Sequence, residues 1–207
     1  MPAPVSSARP LVVFAYLGQT LDAGSTSPKR WLRWRPTVAL GQFGDLLISR
    51  LELLYAPDQE QLLKTVQEDL GLVSPETVVV ARPFDVSDPW ALEEVYEALH
   101  DVLSTYPFKP EKEDYLVHIT TGTHVFQICL FLLVESRHFP GRLLQLSPPK
   151  DEAELPGAWR VIDLDLSKYD RLAARFAREQ AEGLSFLKAG IQTQNRGFNR
   201  LVEQLER

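Results

Sequence analysis

The seven residues His118-Ile119-Thr120-Thr121-Gly122-Thr123-His124 constrain this chain more than any other stretch. They sit between the apolar run Tyr115-Leu116-Val117 and a long apolar stretch over residues 125–134. The first has the length and content of a buried strand. The second places Val125, Ile128, Cys129, Leu132 and Leu133 at the i, i+3, i+4, i+7, i+8 spacing of a helix. A strand, a small hydroxyl-rich turn and a helix in succession put the turn at the strand's carboxyl end. There an open α/β sheet offers backbone N–H groups to an anion.

The rest of the chain repeats the alternation. Residues 11–16 read as a buried strand that ends in Leu17-Gly18-Gln19-Thr20, followed by a polar loop. Pro36 suits the first turn of a helix carrying Val38, Leu40 and Phe43, and residues 46–55 read as a second strand. Leu62, Leu63, Val66 and Leu70 predict a helix over 61–72, and residues 77–81 form a β-branched strand. Asp88-Pro89-Trp90 reads as cap and first turn of a further helix, with Leu92, Val95, Tyr96, Leu99 and Leu103 inward. Residues 141–146 and 159–164 supply two more strands, a hairpin around 148–157 being one way to join them. Regular alternation of this kind predicts an α/β fold, a Rossmann-like, doubly wound and mainly parallel sheet over residues 11–165. A Pro-rich flexible start occupies 1–10, and past Asp165 the pattern changes to charged amphipathic helix over 166–207. That helical segment runs almost to the last residue with no stop signal, as a connector to a further domain would.

Composition allows one ordinary core: 207 residues, 44% hydrophobic and 24% charged. A net charge of −6 argues against broad non-specific nucleic-acid binding and confines any anion site to a local patch. The single cysteine, Cys129, lies within an apolar helix as a small buried hydrophobe and makes no internal disulfide. No signal-peptide core or membrane span is legible, so the chain reads as soluble and cytoplasmic. The four histidines, His100, His118, His124 and His138, have no metal-ligand spacing, and neither a metal nor a cofactor is expected.

In such a sheet the turn Gly18-Gln19-Thr20 and the turn from Thr120 to His124 lie side by side, two anion-friendly turns making one cleft. The first lacks GxGxxG and the second lacks a Walker lysine, which weighs against a dinucleotide or ATP. The threonine hydroxyls serve equally well as plain helix caps. Four cations and two tryptophans crowd Lys29-Arg30-Trp31-Leu32-Arg33-Trp34-Arg35. Either Arg33 and Arg35 meet phosphate, or the tryptophans pack under the loop while the arginines meet nearby carboxylates. His118 and His124 flank the threonine turn as an acid–base pair would, although His118 fits a layer of the sheet better. A helix apolar nearly all round, as 125–134 is, is either sandwiched in the monomer or buries its second face in a partner. We take the second reading: a homodimer through Val125, Phe126, Ile128, Cys129 and Leu132, with paired turns forming a shared pocket.

Several stretches resemble a known family: Leu17-Gly18-Gln19-Thr20-Leu21-Asp22-Ala23-Gly24, Arg30-Trp31-Leu32-Arg33-Trp34-Arg35-Pro36-Thr37, Val73-Ser74-Pro75-Glu76-Thr77, the segment from Asp114 to His124, and Ile162-Asp163-Leu164-Asp165-Leu166-Ser167. They are similar to the N-terminal part of the RtcR family, sigma-54-dependent transcriptional activators of RNA-repair genes. The resemblance implies a CARF domain, a CRISPR-associated Rossmann fold that dimerises and binds an RNA-derived ligand. It further implies a non-enzymatic sensor that restrains an AAA+ ATPase domain, followed by a DNA-binding domain, and releases it when RNA with a 2′,3′-cyclic phosphate end binds. Carried over by position, Gly18, Gln19, Thr20, Thr120, Thr121, Gly122, Thr123 and His124 form the ligand pocket; Arg33 and Arg35 are added from charge. Many CARF domains that bind cyclic oligoadenylate have lysine where His124 stands, which points away from that ligand. A ring nuclease cleaving cyclic oligoadenylate and a pure dimerisation module are the alternatives.

Overall fold

The computed structural model describes residues 9–24, 28–151 and 155–162. The connector expected over 166–207 and nearly all of the expected flexible start lie outside the described residues. Among the described residues are six strands and four α-helices: β1 (Leu11–Tyr16), α1 (Pro36–Ala39), β2 (Arg50–Tyr55), α2 (Glu60–Val73), β3 (Val78–Pro83), α3 (Leu92–Thr105), β4 (Asp114–His118), α4 (His124–Glu135), β5 (Arg142–Ser147) and β6 (Ala158–Ile162). The strands form one sheet in the order β3-β2-β1-β4-β5-β6, parallel throughout except that β6 runs antiparallel to β5. This is the expected doubly wound fold with its closing hairpin. Successive strands move outward on one side of β1, and the chain then returns to β4 on the other. The point where the order reverses lies between β1 and β4.

β1 holds that central position because it has no polar side to offer water. Val12 and Phe14 face one apolar layer while Leu11, Val13 and Ala15 face the other, and all five are buried. Such a two-sided strand is stable only with helices on both faces of the sheet. Val38 of α1 and Leu63, Val66 and Leu70 of α2 cover one face. Val95, Leu99 and Leu103 of α3 and Phe126, Cys129 and Leu133 of α4 cover the other.

Several boundaries differ from expectation, each for a local reason. The helix read from Asp88 begins at Leu92: the Asp88 carboxylate accepts the Trp90 N–H at 2.9 Å and closes a turn. The second strand begins at Arg50, because Leu46 N–H bonds the Phe43 carbonyl at 3.1 Å and turns the chain before it. The helix opened by Pro36 is α-helical only to Ala39 and tightens to a 3₁₀ turn over Leu40–Gln42. β6 is described over Ala158–Ile162, and residues 163–164 of the expected strand lie outside the described residues. In α4 the inward face consists of Phe126, Cys129, Leu130 and Leu133. Ile128, Phe131 and Leu132 are 51%, 43% and 41% exposed. The expected dimer seam therefore loses Phe126 and Cys129, which are spent in the chain's own core.

His118 ends β4 with none of its surface exposed. Neither ring nitrogen has a hydrogen-bond partner among the described residues. Burial without a partner pushes its pKa down to about 3 and keeps the ring neutral. An unfolded chain takes this proton near the ordinary value of 6.5. Between the two values the unfolded state binds a proton that the folded state refuses. Folding is therefore weakened as pH falls from 6.5 toward 3, and the imidazole's contribution is intact above that window. His118→Leu should flatten the fall in unfolding free energy below pH 6.5, by up to about 1.4 kcal/mol per pH unit, at little cost near neutrality. Urea melts of both chains across that range give the two slopes, and equal slopes would contradict a sealed, neutral imidazole.

Candidate functional site

The carboxyl ends of β1 and β4 bring two turns together. After β1 the chain doubles back: Asp22 N–H bonds the Gly18 carbonyl at 2.9 Å, and the Asp22 carboxylate takes the Gly18 N–H at 2.8 Å. The same carboxylate accepts the Thr37 N–H at 2.8 Å and the Thr37 hydroxyl at 2.7 Å. One fully buried aspartate thus pins the first turn to the start of α1. Burial raises the Asp22 carboxyl above the ordinary range, while the bonds from Thr37 and Gly18 and the charge of Arg35 act in the opposite direction.

The arginine cluster divides. Arg35 is 3% exposed, donates from Nε to the Asp22 carbonyl at 2.7 Å and pairs with Asp69 of α2 at 2.5 Å. Arg30 adds a bidentate fork on the same carboxylate, both bonds at 2.9 Å. Burial pushes the Asp69 carboxyl up, but the two arginines outweigh it and hold the pKa below the ordinary value. Trp31 and Trp34 pack against the core, and the Trp34 indole N–H bonds the Pro156 carbonyl at 3.0 Å. Arg35 is therefore an internal strut under the β1 turn and not a phosphate contact: Nε and one terminal nitrogen are taken by Asp22 and Asp69, the other terminal nitrogen is buried with no partner among the described residues, and its surface is covered. Arg33 remains exposed.

The hydroxyls of the β4 turn are also spent. Thr121 donates to the Tyr16 carbonyl at 2.5 Å, locking the β4 turn onto the end of β1. Thr120 accepts the Leu146 N–H at 2.8 Å on the β5 side. Thr123 caps α4 by accepting the Phe126 N–H at 3.1 Å and donates to the Pro89 carbonyl at 3.0 Å. Gly122 has a φ of +88°, where a side chain would be strained and would also meet the Phe126 ring. Available to a ligand are the first N–H groups of α4, at His124 and Val125, which have no partner within the helix. The exposed His124 ring stands on the same turn, and the exposed Gln19 and Thr20 on the neighbouring one.

The two turns touch. A Cβ built on Gly18 would stand 2.9 Å from the Thr121 methyl group and 3.0 Å from the Asp22 carboxylate. The expected cleft of paired turns is thus one packed unit, offering a helix N-terminus and polar side chains suited to an anion. It does not bring His118 and His124 together as an acid–base pair, for the first is sealed in the sheet and the second lies on the surface. Among the described residues no cluster of three or more His, Cys, Asp or Glu side chains could hold a metal ion. No described helix is long and apolar enough to cross a membrane.

Asp22, Thr37 and Asp69 were not singled out from the sequence. A signal for Asp69 existed: it falls beside Val66 and Leu70 on the inward face of α2, where a carboxylate must find a cationic partner.

A family model described as regulator of RNA terminal phosphate cyclase matches residues 9–190. The chain belongs to this RtcR family. It is 50% identical over 201 residues to the transcriptional regulatory protein RtcR of Escherichia coli strain K12, covering 96% of this chain and 38% of that protein. The RtcR-family chain thus spans well under half the length of this curated relative. Among solved structures it is similar to Enterococcus italicus Csm6 bound to cyclic hexa-2′-fluoro-hexa-dAMP, with a TM-score of 0.56 and 13% identity over 96% of this chain and 54% of that one. It also aligns with Can2 from Sulfobacillus thermosulfidooxidans in complex with cyclic tetra-adenylate, at a TM-score of 0.42 and 14% identity, over 66% and 32% of the two chains. The Csm6 likeness is one of fold, and it agrees with the CRISPR-associated Rossmann architecture expected of an RtcR-family regulatory domain.

The contact between the turns is testable by a paired substitution. Gly18→Ala should lower the unfolding free energy by about 1 to 3 kcal/mol, because the added methyl has no room. Thr121→Ser removes the opposing methyl, keeps the hydroxyl on Tyr16 and should recover part of that loss in the double variant. Chemical denaturation of the four chains measures it; a neutral Gly18→Ala would show that the turns do not abut.

Proposed function

We propose that this chain is the ligand-sensing domain of a sigma-54-dependent activator of RNA-repair genes. It binds RNA ending in a 2′,3′-cyclic phosphate and thereby relieves the restraint on an AAA+ ATPase domain elsewhere in the full protein. The observation that carries this reading is the packed pair of turns at the β1/β4 switch point, in a chain of the family described as regulator of RNA terminal phosphate cyclase. A terminal phosphate presents a compact anion that suits the N–H groups at the start of α4, with His124, Gln19, Thr20 and Arg33 as the polar side chains around it. A ring nuclease would need an activated nucleophile or an acid–base pair beside the bound strand. Sealing His118 in the core removes the second histidine such a pair would use.

The exposed stripe of Ile128, Phe131 and Leu132 on α4 supplies the second half of the proposal. Residues at this spacing form one continuous apolar face, which two copies would bury by meeting along α4. Their α4 N-termini would then share one composite pocket, the arrangement that lets a single RNA end bias both AAA+ modules.

Two measurements test the proposal. End-labelled RNA with a 2′,3′-cyclic phosphate should bind the chain and be recovered intact after prolonged incubation. Time-dependent opening of the cyclic end, abolished by His124→Ala, would establish the nuclease reading instead. Sedimentation at micromolar concentration should give about twice the 23.5 kDa chain mass. Ile128→Glu should return it to the single mass without unfolding the chain, because a charge in that seam cannot stay hydrated. A monomeric parent, or an unchanged dimer in Ile128→Glu, would contradict the seam.

A further inference from the structure

Trp90 is 64% exposed, although it stands on a turn tied by several hydrogen bonds. Its own N–H bonds the Asp88 carboxylate at 2.9 Å, and Ala91 N–H bonds the Asp88 carbonyl at 3.1 Å. Glu94, in the first turn of α3, reaches back to the N–H groups of Ser87 and, at 3.2 Å, Asp88. The preceding residue, Pro89, accepts the Thr123 hydroxyl at 3.0 Å. The turn is thus fastened to the cap of α4. Among the described residues the Trp90 ring meets no other aromatic ring and its indole N–H no acceptor. An indole so placed leaves a large apolar face in water, on a backbone that is itself tied down.

Its position gives that face a use. β3, at the sheet edge, runs parallel to β2, and β2, β1 and β4 run parallel in turn, so the loop that follows β3 emerges at the same carboxyl edge as the β1 and β4 turns. The Thr123–Pro89 bond then sets the Trp90 turn directly against the N-terminus of α4. Of the acidic side chains near it in sequence, Asp88 and Glu94 are occupied by the N–H groups of the turn itself, and Glu93 is exposed. We infer that Trp90 is a nucleobase-stacking residue: its indole receives the base of the RNA nucleotide whose terminal phosphate sits on the N–H groups of α4. The inference rests on the RNA-binding reading above and adds what a phosphate site lacks, a contact to the base. Every base has a π face, so stacking on tryptophan tolerates sequence and does not demand it.

The test uses the whole chain and a short single-stranded RNA with a 2′,3′-cyclic phosphate end, followed by fluorescence anisotropy. Trp90→Ala should weaken binding about tenfold or more, Trp90→Phe should restore most of the loss, and sedimentation should show the same mass in all three chains. Inorganic phosphate should compete with equal strength against the parent and Trp90→Ala, since it has no base to stack. If the parent binds RNA and Trp90→Ala binds it equally, the stacking role is wrong while the RNA-sensing reading stands. If Trp90→Ala changes the sedimenting mass along with affinity, the ring belongs to a protein interface and the inference is overturned. If the parent binds no RNA, the sensing reading falls, and stacking with it.

Discussion

The parallel pairing of β1 with β4 is the contact on which the remainder of the molecule depends. It joins two strands that are more than a hundred residues apart in sequence, and it places the reversal of strand order at the centre of the sheet. Close packing there is enforced by small groups and spent hydroxyls: Gly18 leaves room for the Thr121 methyl, and Thr121 bonds the last carbonyl of β1. Asp22 extends the same lock to α1 through Thr37, and Arg35 continues it to Asp69 on α2. A series of buried, charge-assisted bonds therefore fixes the β1 turn from beneath. Such bonds are costly to break singly, because each removal leaves a buried partner unsatisfied.

That arrangement divides the polar residues into two sets with different tasks. Thr120, Thr121, Thr123, Asp22 and Arg35 hold the crevice in shape. The N–H groups of His124 and Val125, the His124 ring and the side chains of Gln19 and Thr20 are what it presents to solvent. A helix N-terminus is effective for anions when its dipole and N–H groups are already aligned, and rigid neighbours supply that alignment. The proposed ligand sensing would use this economy, since the free energy of binding must go into shifting a conformational equilibrium and not into ordering the site.

The strand–turn–helix rhythm was legible because its parts obey separate local rules. β1 and β4 read as buried strands since both their faces are apolar, and for Thr123 the cap was one of two readings left open, beside the ligand pocket. The side-by-side turns followed from the topology. What the sequence did not reveal were the partners of the charged residues. Arg35 and Arg33 are two positions apart and equally cationic, yet Asp69, thirty-four residues further on, makes one a strut and leaves the other on the surface. The expected α4 seam likewise mixed outward residues, Ile128 and Leu132, with inward ones, Phe126 and Cys129. With apolar residues nearly all round, periodicity gave no preference between Phe126 and Ile128, and only packing against α3 and the sheet decided it. Asp88 misled in another way, for an aspartate before proline caps a helix and closes a turn by the same chemistry, and here it does the second.

Residue-resolved amide hydrogen exchange, with and without RNA bearing a 2′,3′-cyclic phosphate, addresses the central claim most directly. Binding at the switch point should slow exchange at the amides of Gln19, Thr20, His124 and Val125, leaving the already bonded amides of β1 and β4 unchanged. RNA that binds but protects another face of the sheet, with these four amides exchanging as before, would contradict the account.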